Sequence, residues 1–232
     1  MQLPKHFKII DLALQYKDTL IIGDLQLGYE TELHKQGVLI PSFQLKDILK
    51  RLNNIFEQTT AKRIVINGDI KHQFGSISEQ EWREILQLFD YLFTKVREII
   101  LVKGNHDLTL RPIAKKRNIE IQDSYKIDEV TILHGHKLPK ETTKTLVIGH
   151  EHPAISFPKR PSEKYKCFLV GKWKKSTLFI LPSFNPLTEG SDVLQENFLS
   201  PFLQENINNF EVYIVEGKKP LHFGKIKTIK KL

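Results

Sequence analysis

The feature that most constrains this chain is a recurrence: five times an apolar run stops at a short cluster rich in glycine, histidine and acid or amide. The clusters are Asp24-Leu25-Gln26, Gly68-Asp69, Gly104-Asn105-His106-Asp107, His134-Gly135-His136 and Gly149-His150-Glu151-His152. Short apolar runs bounded by such residues read as buried strands, and helical periodicity lies between the early ones. Residues 42–58 place Phe43, Leu45, Ile48, Leu49, Leu52, Ile55 and Phe56 on one face behind a Pro-Ser start. Residues 78–95 do the same for Trp82, Ile85, Leu86, Phe89, Leu92 and Phe93, with Ser78 as N-cap and Glu81 three residues on. Strand, helix, strand, helix, strand is the pattern of an α/β fold, whose ligands sit beyond the carboxyl ends of the strands. The polar clusters should therefore converge on one edge.

That convergence predicts chemistry. Five of the nine histidines fall within residues 106–152, and imidazole is the commonest side-chain metal ligand. Cys167 is the only cysteine, which rules out an internal disulfide or a thiolate cluster and leaves His, Asp, Asn and Glu to hold a metal. Loop histidines placed at random would not each follow a strand and adjoin a glycine, the residue that lets the chain bend sharply enough to turn its neighbour into a shared cleft. Two divalent ions about 3.5–4 Å apart can clamp a phosphate, generate hydroxide at neutral pH and stabilise the attacking and leaving oxygens. Asp69 is the candidate bridge between them.

The remaining sequence is sheet-like. Residues 6–15 and 18–23 read as an opening hairpin, and strands are expected at 119–122, 130–133, 145–148, 165–170, 177–181, 211–215 and 221–228, with a long irregular loop over 182–208. No linker or repeat divides the 232 residues, so residues 1–232 are expected to form a single domain. No apolar stretch approaches the ~20 residues of a membrane span, and the N-terminus lacks the pattern of a signal peptide; a cytoplasmic protein with no membrane partner is expected. The charge is localised: residues 159–175 hold seven Lys or Arg against one Glu and residues 225–232 hold four Lys and no acid, in a chain of net charge +8. Segment 159–175 is thus a possible nucleic-acid contact, with Trp173 as a possible base-stacking residue or simply core. Lysines that solvate and protect edge strands give the same pattern.

In this order the motifs resemble the calcineurin-like metallophosphoesterase superfamily, whose pattern runs D-x-H, G-D, G-N-H-D/E, H and G-H-x-H. The stretches INGDIKHQFG, GNHD, HGHKLP, IGHEHPAISF, EKYKCFLVG and LPSFNPLTEG are similar in particular to archaeal phosphoesterases related to the SbcD-type repair exonucleases, over roughly residues 6–228. The resemblance implies an α/β fold of two packed mixed β-sheets flanked by α-helices, and a dinuclear phosphoesterase. Asp24 would bind the first metal, Asp69 would bridge, Asn105, His134 and His150 would bind the second, and His152 would return to the first. A metal-bridged hydroxide would attack phosphorus while His106 protonates the leaving oxygen, with Asp107 orienting its imidazole.

One position departs from the pattern. Gln26 stands where the first motif has histidine; an amide oxygen can ligate a hard cation but lacks the basicity of imidazole. Three readings stay open: an active enzyme with a weaker first site, an enzyme using one tight metal, and a degenerate metal-stabilised binding module. Manganese is the expected ion from family precedent, with iron, zinc or nickel compatible with the donors. Lys71, His72, His136 and Asn185 are candidate substrate-binding residues. A loop lysine is often only solvated, His136 could instead be a ligand or support one, and Asn185 could simply form a turn before Pro186. A phosphodiesterase is the expected activity, with a DNA- or RNA-processing nuclease as the alternative; the chain leaves little room for the DNA-capping domain of the full repair exonucleases.

Overall fold

The computed structural model describes residues 3–157, 160–195, 197–217 and 219–231, so Lys159 of the basic segment lies outside the described residues. The chain opens with β1 (Phe7–Ile10), β2 (Ala13–Tyr16) and β3 (Thr19–Ile22), three strands where the apolar runs suggested two. Asp11 is responsible: its φ of 50° turns the chain back within the first run, and its carboxylate pairs with Arg51 at 3.3 Å. There follow α1 (Tyr29–Lys35), α2 (Gln44–Phe56), β4 (Arg63–Asn67), α3 (Glu79–Phe93), β5 (Glu98–Val102), α4 (Arg111–Lys115) and β6 (Ile121–Gln122). Strands β1 to β6 form one sheet in that order, antiparallel up to β3 and parallel beyond it.

The two long helices start differently. Helix α3 has the expected capping box: Ser78 Oγ accepts from the Glu81 N–H at 3.1 Å and Glu81 Oε2 accepts from the Ser78 N–H at 2.9 Å. Helix α2 does not begin at Ser42. Its free N–H groups at Phe43 and Gln44 both donate, at 2.6 Å, to Oε1 of the buried Glu30 on α1, a carboxylate placed where the helix dipole favours negative charge.

The second half comprises β7 (Ser124–Ile127), β8 (Val130–Leu133), β9 (Thr145–Ile148), β10 (Pro153–Phe157), β11 (Arg160–Trp173), β12 (Ser176–Ile180), β13 (Ser191–Asp192), a 3-10 turn at Pro201–Leu203, β14 (Glu211–Glu216), β15 (Lys219–Lys225) and α5 (Ile226–Ile229). These strands build a nine-stranded mixed sheet ordered β13-β10-β11-β12-β9-β8-β7, with β14 on β11 and β15 beyond it. The expected strand over 221–228 stops at Lys225, because Ile226 and Ile229 bury together on one helical turn, and the 182–208 loop contains β13 and the 3-10 turn.

The two sheets face each other, with helices on the outside. Ile64, Ile66 and Leu101 point to the layer under α2 and α3, whereas Val65 and Ile100 meet Ile132, Val147, Phe168 and Phe179 between the sheets. Leu146, Ile148 and Leu178 face Phe202, Ile226 and Ile229 on the far side. Strands buried on both faces are continuously apolar, which is why the polar residues wait for the strand ends.

Candidate metal centre

The clusters do meet at one edge. Asp24 and Gln26 follow β3, Asp69 follows β4, Asn105 and His106 follow β5, His134 follows β8, and His150 and His152 follow β9. Because β3, β4 and β5 are parallel, as are β8 and β9, their carboxyl ends point the same way. Asp24, Gln26, Asp69, His150 and His152 all have φ between 47° and 68°. The left-handed conformation costs a side-chain-bearing residue on the order of 1 kcal/mol or more and persists where the surroundings enforce it. The adjoining glycines leave the necessary room: a Cβ on Gly104 would collide with the Asp69 carboxylate, and one on Gly68 with the His134 ring.

Asp69, His134 and His150 offer ligand atoms that all lie within 4.8 Å of one another. His134 is fully buried; its Nδ1–H donates to the Asn67 carbonyl at 3.2 Å, which turns Nε2 toward Asn105 Oδ1 at 3.0 Å and Asp69 Oδ2 at 3.2 Å. Burial opposes charge on both partners, but their mutual hydrogen bond and attraction prevail, holding the Asp69 carboxyl low and raising the His134 imidazole. Asp69 Oδ1 also accepts from the His106 N–H at 3.0 Å. Burial and the neighbouring His134 push His150 down to about 4.

Across the cleft, Asp24 is buried and its Oδ2 accepts from the His150 N–H at 3.0 Å. Its Oδ1 lies 3.2 Å from His152 Nε2, yet neither atom has a hydrogen-bond partner among the described residues. Buried polar atoms rarely stay unpaired, and a carboxylate oxygen beside a bare imidazole nitrogen suits a cation. These carboxylates, imidazoles and the Asn105 amide fit a hard or borderline divalent ion. Gln26 is turned elsewhere: its Oε1 takes Asn185 Nδ2 and Thr188 Oγ1, each at 3.4 Å.

The other candidates separate. Asp107 does not orient the His106 imidazole as expected; its carboxylate accepts from Ile70 N–H at 3.0 Å and Gly104 N–H at 2.9 Å, tying together the loops after β4 and β5. Burial, with Asp69 nearby, lifts its pKa to about 6. His106 is held instead by the His72 carbonyl at Nδ1, and its Nε2 lies 3.8 Å from Asp69 Oδ2. Lys71 is not a solvated loop lysine: it is fully buried, with Nζ on the Gln73 carbonyl. His72 packs on Tyr29 at 4.6 Å between ring centroids, and burial lowers its pKa. His136 stands beside His134 with ring centroids 5.3 Å apart, at about 4 because of burial and that neighbour. Asn185 is buried under the Gln26 side. Trp173 offers no stacking face, being buried against Phe202 at 4.7 Å.

Sequence reasoning missed the supports. Gln44 Nε2 donates to Leu25 O, Gln26 O and Asn185 Oδ1 at 3.2, 2.9 and 3.0 Å, and Ser183 Oγ donates to Asp24 O at 2.8 Å. Glu151 Oε2 accepts from Leu199 and Ser200 N–H at 2.9 and 2.8 Å. The GHEH motif was the one sequence signal for Glu151; nothing local marked Gln44 or Ser183.

The nuclease MPE of Pseudomonas putida has a similar structure, at TM-score 0.65 and 17% identity over 91% of this chain and 92% of that one. The phosphoesterase Yfce of E. coli aligns over 89% of this chain and 98% of its own at 14% identity, with a TM-score of 0.43. No curated protein matches the sequence. Among the described residues no helix is long and apolar enough to cross a membrane. The profile of the calcineurin-like phosphoesterases matches residues 18–217, and the chain belongs to that family.

Proposed function

We propose that this protein is a metal-dependent phosphodiesterase. The observation that carries the reading is the meeting at one edge of Asp24, Asp69, Asn105, His134, His150 and His152, with the Asp24 and His152 atoms unpaired though 3.2 Å apart. Asp69, Asn105, His134 and His150 would hold one divalent ion; Asp24, His152 and the shared Asp69 would hold the other, with Gln26 able to join by rotating its amide. Manganese is the ion we would supply first. Such ions would polarise the phosphate and provide a water-derived nucleophile. The protein's own part is positional: Asn67 fixes the His134 tautomer, and Asp107 binds the two loops that carry Asp69 and His106. His106 is the general acid. A carbonyl at Nδ1 can only accept, so the ring keeps a proton there; as an imidazolium it would give its second proton, on Nε2, to the leaving oxygen and return to the neutral Nδ1–H tautomer. We read residues 1–232 as one domain, supported by the apolar layer shared by the two sheets, and the SbcD-related branch as a finer assignment resting on the motif stretches alone.

The test is hydrolysis of an aryl phosphodiester by metal-stripped protein, with and without manganese, and with His106→Ala as control. Turnover that needs manganese and vanishes in the control supports the reading. Stabilisation by metal without turnover would instead favour a degenerate binding module.

A nuclease is the second reading, favoured by the fold shared with nuclease MPE; Lys164 on β11 is already paired with Glu189 at 3.6 Å. Lys172, Lys174 and Lys175 do not add to it: they sit where β11 turns into β12, beside the start of β9, roughly 15 Å along the strands from the cleft. Lys166 is turned inward onto Ser183 O and Asn185 O. Digestion of single-stranded and duplex DNA at rising salt distinguishes this reading, because phosphate contacts weaken steeply with salt.

A further inference from the structure

The wall of the cleft beside His106 is aromatic. Phe74 is 64% exposed, and its ring centroid lies 3.6 Å from that of His106. His72 and then Tyr29 continue the row, at 6.0 and 4.6 Å between successive rings. The loop bearing Phe74 is fastened on both sides of it: Gln73 N–H donates to Glu81 Oε1 at 3.2 Å, Lys71 Nζ donates to Gln73 O, and Thr109 Oγ1 donates to Gly75 O. A large apolar ring is thus presented to solvent by a pinned loop, and Leu108, also 64% exposed, stands on the loop joined to it.

The position selects which part of a substrate would meet the ring. If His106 Nε2 serves the leaving oxygen, whatever is bonded to that oxygen passes the face of Phe74, since the two rings are in contact. We propose that Phe74 is a stacking platform for the flat aromatic part of the leaving group, the base of a departing nucleoside or the ring of a phenol, and so sets the specificity of the phosphodiesterase reaction, on whose reading this inference rests. Such platforms tolerate any base because every base has a π face.

The experiment uses manganese-loaded protein and four substrates: dithymidine monophosphate, its two analogues abasic on the 5′ or the 3′ side, and methyl p-nitrophenyl phosphate. Phe74→Ala should raise KM about tenfold for dithymidine monophosphate and for the abasic isomer that keeps its base on the leaving side. It should leave KM unchanged for the other isomer, which also identifies the leaving side, and Phe74→Trp should restore the wild-type pattern. A rise for the nitrophenyl ester alone would assign the platform to phenolic leaving groups. An equal loss on all four substrates, or a loss confined to kcat, would overturn the proposal, since the ring would then only hold His106. Melting temperatures of the variants check folding. If the wild type turns over none of them, the phosphodiesterase reading itself fails. Calorimetry of thymidine monophosphate against deoxyribose phosphate then decides, with no preference for the base, or one unaltered in Phe74→Ala, sinking the platform.

Discussion

The Asp69 side of the cleft and the Asp24 side use similar residue types and are built unlike each other. On the Asp69 side the His134 imidazole is held at both nitrogens, by Asn67 O, Asn105 Oδ1 and Asp69 Oδ2, and backbone N–H groups pin the carboxylates of Asp69 and Asp107, with the Asn67 amide oxygen and His136 Nδ1 the unpaired atoms beside it among the described residues. On the Asp24 side a carboxylate oxygen and an imidazole nitrogen lie unpaired, the amide of Gln26 faces away, and the backing is a relay through Asn185, Gln44 and Lys166. His134 and Asp69 are thus preorganised by their own hydrogen bonds, whereas the Asp24 side leans on a ligand and on the loop behind it. The Asp69 half should therefore bind a metal ion first and more tightly.

The largest expected effect comes at the carboxylate that both halves share. Asp69→Asn should lower manganese-dependent turnover by about 10³-fold, the equivalent of several kcal/mol of metal electrostatics, and should abolish the rise in melting temperature on adding manganese; retention of both would remove Asp69 from the metal centre. Next comes the pH response of the backing. Burial, with Arg51 adding, pushes Lys166 down to about 7 from its ordinary 10.5, so the unfolded chain binds more protons between those values and stability should rise with pH across that window. The slope from this group is at most about 1.4 kcal/mol per pH unit. Urea titrations from pH 7 to 10 should be flatter for Lys166→Met, and an unchanged slope would show that the amine stays protonated in the fold.

Smaller effects sharpen the contrast. Gln44→Ala removes the amide that reaches Leu25 O, Gln26 O and Asn185 Oδ1 and should cost about 1–3 kcal/mol in urea unfolding, while weakening manganese on the Asp24 side more than on the Asp69 side. Gln26→His should tighten the weaker ion by about tenfold in calorimetry; an unaltered affinity would mean that this position does not reach the ion at all.

How much of this could be read from the chain depends on how local the cause was. The Ser78–Glu81 capping box and the strands ending at Asp24, Asp69 and Asn105 were legible because three-residue spacings and unbroken apolar runs carry them. The extra turn at Asp11 was hidden, since its positive φ interrupts no apolar pattern. Glu30 capping α2 was equally invisible: the acceptor comes from another helix, and Ser42 looked locally adequate. Lys71 and Asp107 kept their places in the motifs while their partners differed from expectation, because sequence neighbours do not reveal which backbone groups a folded loop turns inward.

Fold class, family and the edge at which the polar clusters gather were all legible in the order of residues, because strand burial and parallel order force ligand-bearing residues to the carboxyl ends. It took the folded arrangement to show that His134 and Asp69 hold each other while Asp24 Oδ1 and His152 Nε2 have no hydrogen-bond partner among the described residues, that Gln26 faces Asn185, and that Phe74 lies on His106. Those outcomes depend on which donors and acceptors come within about 3 Å of each other across loops far apart in the chain, a matter of geometry that no spacing along one strand encodes.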